Sequence, residues 1–236
     1  MPPMRTKLPV LAIALAIALV GCSFHGESPL DAGTHTADAR VDARPDAPPD
    51  APTPILLRET ETNVVVNGHT SFCLANASVN APTQSEVYER TFPLTQFSIT
   101  GDFRVNTVVF TANSATAKSV TVEVGIYAGS VGDPTLNPAL MSWYATSLID
   151  VPDGINQVVQ VPITTTIPAG AVLLVGIAAP SYVGLGGTFA IAGTDGNQIL
   201  PSYYTAPSCG TTTPSTRDSH NGSVGNFLIE VIGFVL

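Results

Sequence analysis

Basic residues are scarce in this chain. Nine Lys and Arg stand against eighteen Asp and Glu in 236 residues, giving a formal charge of −9. No basic stripe is present to neutralise phosphates, which disfavours nucleic acid as a partner. An anionic membrane surface would not attract such a chain electrostatically either. Histidine is equally thin, and beyond residue 55 only His69 and His220 remain. No His-Glu-x-x-His pair and no Gly-x-Ser-x-Gly elbow occurs, so neither of these hydrolase signatures is available. Long apolar runs are missing apart from one, Leu8 to Gly21, and no segment offers a convincing amphipathic helix.

That one run follows Arg5 and Lys7. A basic head and a short apolar core are the physical signature of an export signal, and the run falls short of the roughly 20 residues that span a bilayer as a helix. It closes on Leu19-Val20-Gly21-Cys22, which resembles the lipobox of bacterial lipoproteins. The resemblance implies cleavage before Cys22, lipidation of its thiol and acylation of the new amino terminus. Several acyl chains anchor stably where a single one is marginal. Ser23 rather than Asp follows the cysteine, which is similar to lipoproteins sorted to the outer membrane. The expected organisation is therefore a signal over 1–21, a lipidated tether over 22–54 and a folded domain over 55–236.

The tether holds Pro29, Pro45, Pro48, Pro49, Pro52 and Pro54, and Asp-Ala pairs start at Asp31, Asp38, Asp42, Asp46 and Asp50. On a helix the last four aspartates would stack like charges, and the prolines would break it. An extended or disordered, self-repelling linker is expected, reaching on the order of 100 Å when fully polyproline-like. Such Asp-Ala-Pro leaders resemble those of myxobacterial surface lipoproteins.

From Ile55 onward the texture is β. Val120, Val122, Val124 and Ile126 alternate with Thr121, Glu123, Gly125 and Tyr127, a period of two. Further strand candidates are 103–110, 140–148, 157–163, 171–177, 188–192 and 226–232. Turn signals at Asn67-Gly68, Gly132-Asp133-Pro134, Pro152-Asp153-Gly154, Pro168-Ala169-Gly170 and Asp195-Gly196-Asn197 separate them. Many short strands between such turns predict an all-β, two-sheet sandwich of jelly-roll type with seven to nine strands. Thr91-Phe-Pro-Leu94, Ile167-Pro-Ala-Gly170 and Ser202-Tyr-Tyr204 with Cys209-Gly210 resemble β-sandwich domains of secreted bacterial proteins, many of which have no assigned activity.

With Cys22 lipidated, Cys73 and Cys209 remain. In an exported chain an even pair predicts one disulfide, which would staple the early edge of the domain to its long late loop. For catalysis, Glu86 with Glu89, or Asp150 with Asp153, would be the glycosidase-type pairs, although two acids near a turn are usually just solvated. His69 and His220 each sit beside turn-forming residues and read as surface positions. Sugar rings stack on exposed aromatics while nearby polar groups take their hydroxyls. Tyr182, Tyr203 and Tyr204 are the candidate platforms. A calcium ion would draw on Asp133, Asp150, Asp153 or Asp195, but no Asp-x-Asp-x-Asp ladder supports one, and no other cofactor is implied. The adjacent Trp143 and Tyr144 must face opposite ways on a strand. The sequence thus predicts a non-catalytic, surface-anchored module that binds a glycan or another envelope component. The alternatives are an extracellular hydrolase of polysaccharide or ester, and a purely structural envelope component.

Overall fold

The chain divides into two units, Met1–Ala47 and Pro48–Leu236. The computed structural model describes residues 52–67, 69–76, 81–116, 118–216 and 226–236. The signal, Cys22, nearly all of the tether, Gly68 and His220 lie outside the described residues.

The described part is all-β, and its strands form two principal sheets. The first has β1 (Ile55–Arg58), β13 (Ile229–Val235), β3 (Phe103–Ala115) and β6 (Gly154–Ile167) in that order, with β8 (Phe189–Ile191) also paired to β3. The second runs β11 (Thr211–Thr216), β10 (Ser202–Ala206), β2 (Glu86–Pro93), β7 (Val172–Ala179), β4 (Lys118–Tyr127) and β5 (Met141–Val151). A small ladder joins β9 (Gly193–Thr194) to β12 (Asn226–Phe227). The predicted two-sheet sandwich is present.

The ladders explain the architecture. β1 pairs with β13, β2 with β7, β3 with β6 and β4 with β5, all antiparallel. These pairs nest, as in one long hairpin whose tip is the β4–β5 turn. Rolling that hairpin brings β13 beside β3 and β7 beside β4, which is the jelly-roll arrangement. The roll uses eight strands, within the predicted seven to nine. The other five, β8 to β12, all lie in the connection between β7 and β13, a stretch that the alternation signal reads as mostly loop.

The core lies between the sheets. Phe103, Val105, Val108, Phe110, Val161, Ile167 and Val231 from the first sheet meet Tyr88, Phe92, Val120, Val122, Val124, Val175 and Ile177 from the second, and all are buried. Each such side chain withdraws enough apolar surface to favour folding by about 1.5–3 kcal/mol. The second sheet is also covered on its outer face, where Tyr127, Leu136, Leu174 and Tyr203 pack with half-buried Met141, Trp143 and Val172. As predicted for neighbours on a strand, Trp143 is drawn into packing while Tyr144 is 46% exposed.

Double-sided burial accounts for β2. Glu86, Tyr88, Glu89, Arg90, Thr91 and Phe92 are all buried, so no polar-apolar alternation marks this central strand. Arg90 is fully buried in the sandwich. Its guanidinium donates to Ser202 Oγ at 2.9 Å, to the Phe227 carbonyl, and at 3.3 Å to Gln198 Oε1 and the Leu200 carbonyl. Burial lowers its pKa to about 10, opposed by the nearby Glu59 carboxylate. One cation thus nails the long β7–β13 connection to the middle of the sheet.

Candidate functional site

Two long connections of the roll meet at one place. The β1–β2 connection carries Phe72 and Cys73, and the β7–β13 connection carries Cys209. The two cysteines form a disulfide with a Cα–Cα distance of 5.9 Å and a sequence separation of 136, as the cysteine count predicts. The early segment is further held as a narrow loop: Leu74 bridges Thr83, the Ala75 amide donates to the Pro82 carbonyl at 3.0 Å, and the Gln84 amide donates to the Cys73 carbonyl at 2.7 Å.

Beside this stapled segment lies a groove of about 460 Å³. Phe72, Leu74 and Thr83 of the first connection form one wall, the far end of β3 gives Asn113 and Ser114 with Thr116 just beyond it, and Gly186, Thr188, Phe189 and Ala190 complete the lining. Phe72 is 43% exposed, whereas Phe189 is fully buried beneath the groove. Gly186 takes φ +68, a left-handed backbone that suits glycine and turns the wall tightly. None of these lining residues is charged. The hydroxyls are ordered by mutual bonds: Ser114 Oγ to Thr188 Oγ1 at 3.3 Å, the Thr188 amide to Thr116 Oγ1 at 2.8 Å, and the Phe189 amide to Thr83 Oγ1 at 3.3 Å. Asn113 donates through Nδ2 to Asn156 Oδ1 at 2.9 Å. The chemistry offered is one exposed aromatic face set among neutral hydroxyl and amide groups.

Behind Phe72 sits a buried carboxyl. Glu86 Oε2 accepts from the Cys73 amide at 2.8 Å and from the Tyr204 hydroxyl at 2.7 Å. Glu86 Oε1 lies 2.9 Å from the Tyr88 hydroxyl, which also donates to the Ser71 carbonyl at 2.6 Å. Burial pushes the Glu86 carboxyl up to about 7, outweighing the hydrogen bonds from Tyr204, Cys73 and Tyr88 that favour its charged form.

The predicted tyrosine platforms require correction. Tyr182, Tyr203 and Tyr204 are 2%, 0% and 7% exposed, so none presents a ring face to a ligand. Tyr182 donates to the Ser119 carbonyl at 2.8 Å, Tyr203 belongs to the outer packing layer, and Tyr204 serves Glu86. Glu86 and Glu89 also fail as a pair. Three residues apart on a strand, they point to opposite faces: Glu86 inward, Glu89 to the outer face of the second sheet. Asp150 and Asp153 are both exposed around the β5–β6 turn, and Asp150 accepts from Ser119. Asp133 and Asp195 are exposed too, and no group of three His, Cys, Asp or Glu side chains converges among the described residues. His69 is half-buried rather than a surface residue, and its Nδ1 has no partner among the described residues.

The outer face of the second sheet holds a different groove, of about 480 Å³, floored by Val87, Ala178, Thr121 and Leu148 with Thr205 and Pro207 at one side. One ladder step away, Glu89 and Glu123 flank Gly176 in register. Burial raises Glu89 to about 8, helped by the neighbouring Glu123 charge, and raises Glu123 as well. The carboxyls do not face each other across open space. A Cβ on Gly176 would stand 2.9 Å from Trp143 Cη2, so the indole lies directly over the glycine that separates them.

Sequence reasoning missed Phe72, Asn113 and Thr188 as groove residues, and only one signal pointed to them. Phe72 precedes a cysteine assigned to a disulfide, which marks a fixed rather than wandering loop. No family model and no curated protein sequence matches the chain. Among solved structures it is similar to the cysteine protease and lectin-like domains of Cwp84, a surface layer associated protein of Clostridium difficile, with 14% identity and a TM-score of 0.47. The match covers 66% of this chain and 33% of that one, so the chain spans about a third of that protein's length, and the likeness is too distant to carry an argument about function.

Proposed function

We propose that this protein is an envelope-anchored module that binds neutral glycan in the groove beside Phe72. The observation that carries the reading is the groove's composition: one exposed aromatic ring, an asparagine and several hydroxyls, with no charge. A sugar ring lays its C–H face on an aromatic and gives its hydroxyls to neutral polar groups. The absence of charge favours an uncharged polysaccharide over an acidic one. The anchor is the second half of the reading, with lipid on Cys22 holding the chain to the membrane, most simply the outer membrane. The Asp-Ala-Pro tether then carries the sandwich outward.

Titration of the protein against a panel of neutral and acidic polysaccharides tests the binding half. A neutral glycan is expected to bind, and Phe72→Ala is expected to weaken it at least tenfold, the scale of losing one stacked aromatic at about 1.4 kcal/mol or more. Equal binding by Phe72→Ala, or no binding across the panel, contradicts it. Mass spectrometry of membrane fractions tests the anchor, with an unmodified Cys22 or a fully soluble mature chain as the contrary result.

A further inference from the structure

Phe72 is held from both sides by one buried pair of side chains. Its predecessor Ser71 offers its carbonyl to Tyr88 at 2.6 Å, and its successor Cys73 gives its amide to Glu86 at 2.8 Å. Glu86 and Tyr88 are 1% and 0% exposed and lie 2.9 Å apart through Oε1 and Oη. We propose that Glu86 is a positioning residue for the groove, and that its protonation locks Phe72 in place while its ionisation releases it. This inference rests on the glycan-binding reading for its functional consequence, but the lock itself does not.

The Tyr88 oxygen has two close oxygen neighbours, Glu86 Oε1 and the Ser71 carbonyl, and its hydroxyl carries one proton. A carbonyl has none to give. Each contact is a full two-centre hydrogen bond when Glu86 is protonated on Oε1 and donates to Tyr88, which then donates to Ser71; with Glu86 ionised the single hydroxyl proton must be shared between them. Meanwhile Glu86 Oε2 goes on accepting from the Cys73 amide and the Tyr204 hydroxyl. Ionisation removes the second proton. The carboxylate is the stronger acceptor and draws the Tyr88 proton towards itself, so the bond to the Ser71 carbonyl weakens. The Tyr88 tie to Ser71 is then weakened, leaving the backbone bridge from Ser71 to Ile191 as the hold on that side, and Phe72 shifts with it.

The groups around Glu86 agree with this chemistry. It is approached by Tyr88 on its own strand, by Tyr204 from β10 and by Tyr182 from the connection after β7. No Lys, Arg or His acts on it among the described residues, and the hydrogen bonds from Tyr204, Cys73 and Tyr88 only partly offset the burial that raises its carboxyl to about 7. The lock therefore holds in mildly acidic medium and opens as pH rises through neutrality. Because Cys73 belongs to the disulfide, release is confined to the Ser71 side.

Glu86→Gln is the natural test, because an amide reproduces the protonated carboxyl: its oxygen accepts from Cys73 and Tyr204, and its NH₂ donates to Tyr88. With 4-fluorophenylalanine at position 72, the ¹⁹F signal of the otherwise unaltered protein is expected to titrate with a midpoint near 7. The Glu86→Gln signal is expected to stay at the acidic position at every pH. Affinity for a neutral oligosaccharide should fall about three- to tenfold from pH 5.5 to 8.5, the scale of one hydrogen bond, and Glu86→Gln should abolish that fall. A flat ¹⁹F profile in the unaltered protein, or an unchanged profile in Glu86→Gln, overturns the lock. If no saccharide binds, the ¹⁹F arm still decides the lock, while the glycan reading fails separately. Should Glu86→Gln not fold, the ¹³C carboxyl shift of Glu86 in the unaltered protein takes its place. A midpoint shared with the Phe72 signal supports the lock, and a Phe72 transition without Glu86 titration sinks it.

Discussion

The groove on the outer face and the groove beside Phe72 are held by different means. The outer groove rests on ladder: Val87, Ala178, Thr121 and Leu148 stand side by side on four paired strands, and strand pairing fixes their spacing. The groove beside Phe72 draws two of its walls from irregular connections. Its shape depends on a disulfide, a buried arginine and a buried carboxyl acting at single points. A surface built on ladder has its spacing set by strand pairing, whereas a surface built on point anchors responds to each anchor. Binding residues are disproportionately carried on such connections, positioned by a rigid scaffold.

Breaking the anchors in turn separates the two regions. Arg90→Met should have the largest effect, about 3–5 kcal/mol of stability lost, because it strips Ser202, Gln198 and two carbonyls of a buried donor; chemical denaturation measures it. Replacing both Cys73 and Cys209 by Ser should cost about 2–4 kcal/mol. It should also speed amide exchange at residues 71–76 while leaving the β4–β7 ladder protected.

Titration comes next. Burial raises the carboxyls of Glu59 and Glu86 to about 7 and that of Glu89 to about 8, above their values in the unfolded chain. A group of this kind binds its proton more tightly when folded, so its contribution is complete below the unfolded pKa and is lost as pH rises through the folded one. The thermal midpoint is therefore expected to be highest near pH 4 and to decline through pH 7–8, reversing the more common rise. A midpoint that climbs over this interval contradicts the assignment.

Smaller effects test the outer face. Gly176→Ala forces the Trp143 ring off its seat at a cost of about 1–3 kcal/mol. Trp143 is the single tryptophan of the chain, so its emission should shift to the red while glycan affinity stays unchanged. Phe72→Ala should alter stability least, within about 0.5 kcal/mol for a half-exposed ring, although it removes the sugar platform.

How much of this was legible in the sequence follows from where each signal comes from. β3, β4, β5, β6 and β7 were visible because most bury one face and expose the other, or form a continuous aliphatic run. β2 was not, since a strand packed on both sides with Glu86, Glu89 and Arg90 inside carries neither pattern. The disulfide was legible from cysteine parity alone. The groove was not, because Phe72, Asn113 and Thr188 lie far apart in the chain and meet only when the hairpin rolls. The tyrosines misled for a related reason: in a Gly/Ser/Thr-rich stretch they looked like loop decoration, yet the strand over Ser202–Ala206 pairs with β2 within the six-stranded second sheet and turns Tyr204 inward.

A ligand seated beside Phe72 rather than on the outer face is the central expectation. An ¹⁵N–¹H correlation spectrum recorded during titration with a soluble neutral oligosaccharide decides it. Shifts are predicted at Phe72, Leu74, Asn113, Ser114 and Thr188, with Thr121 and Ala178 unmoved. Shifts confined to Thr121 and Ala178, or none anywhere at millimolar saccharide, would contradict it.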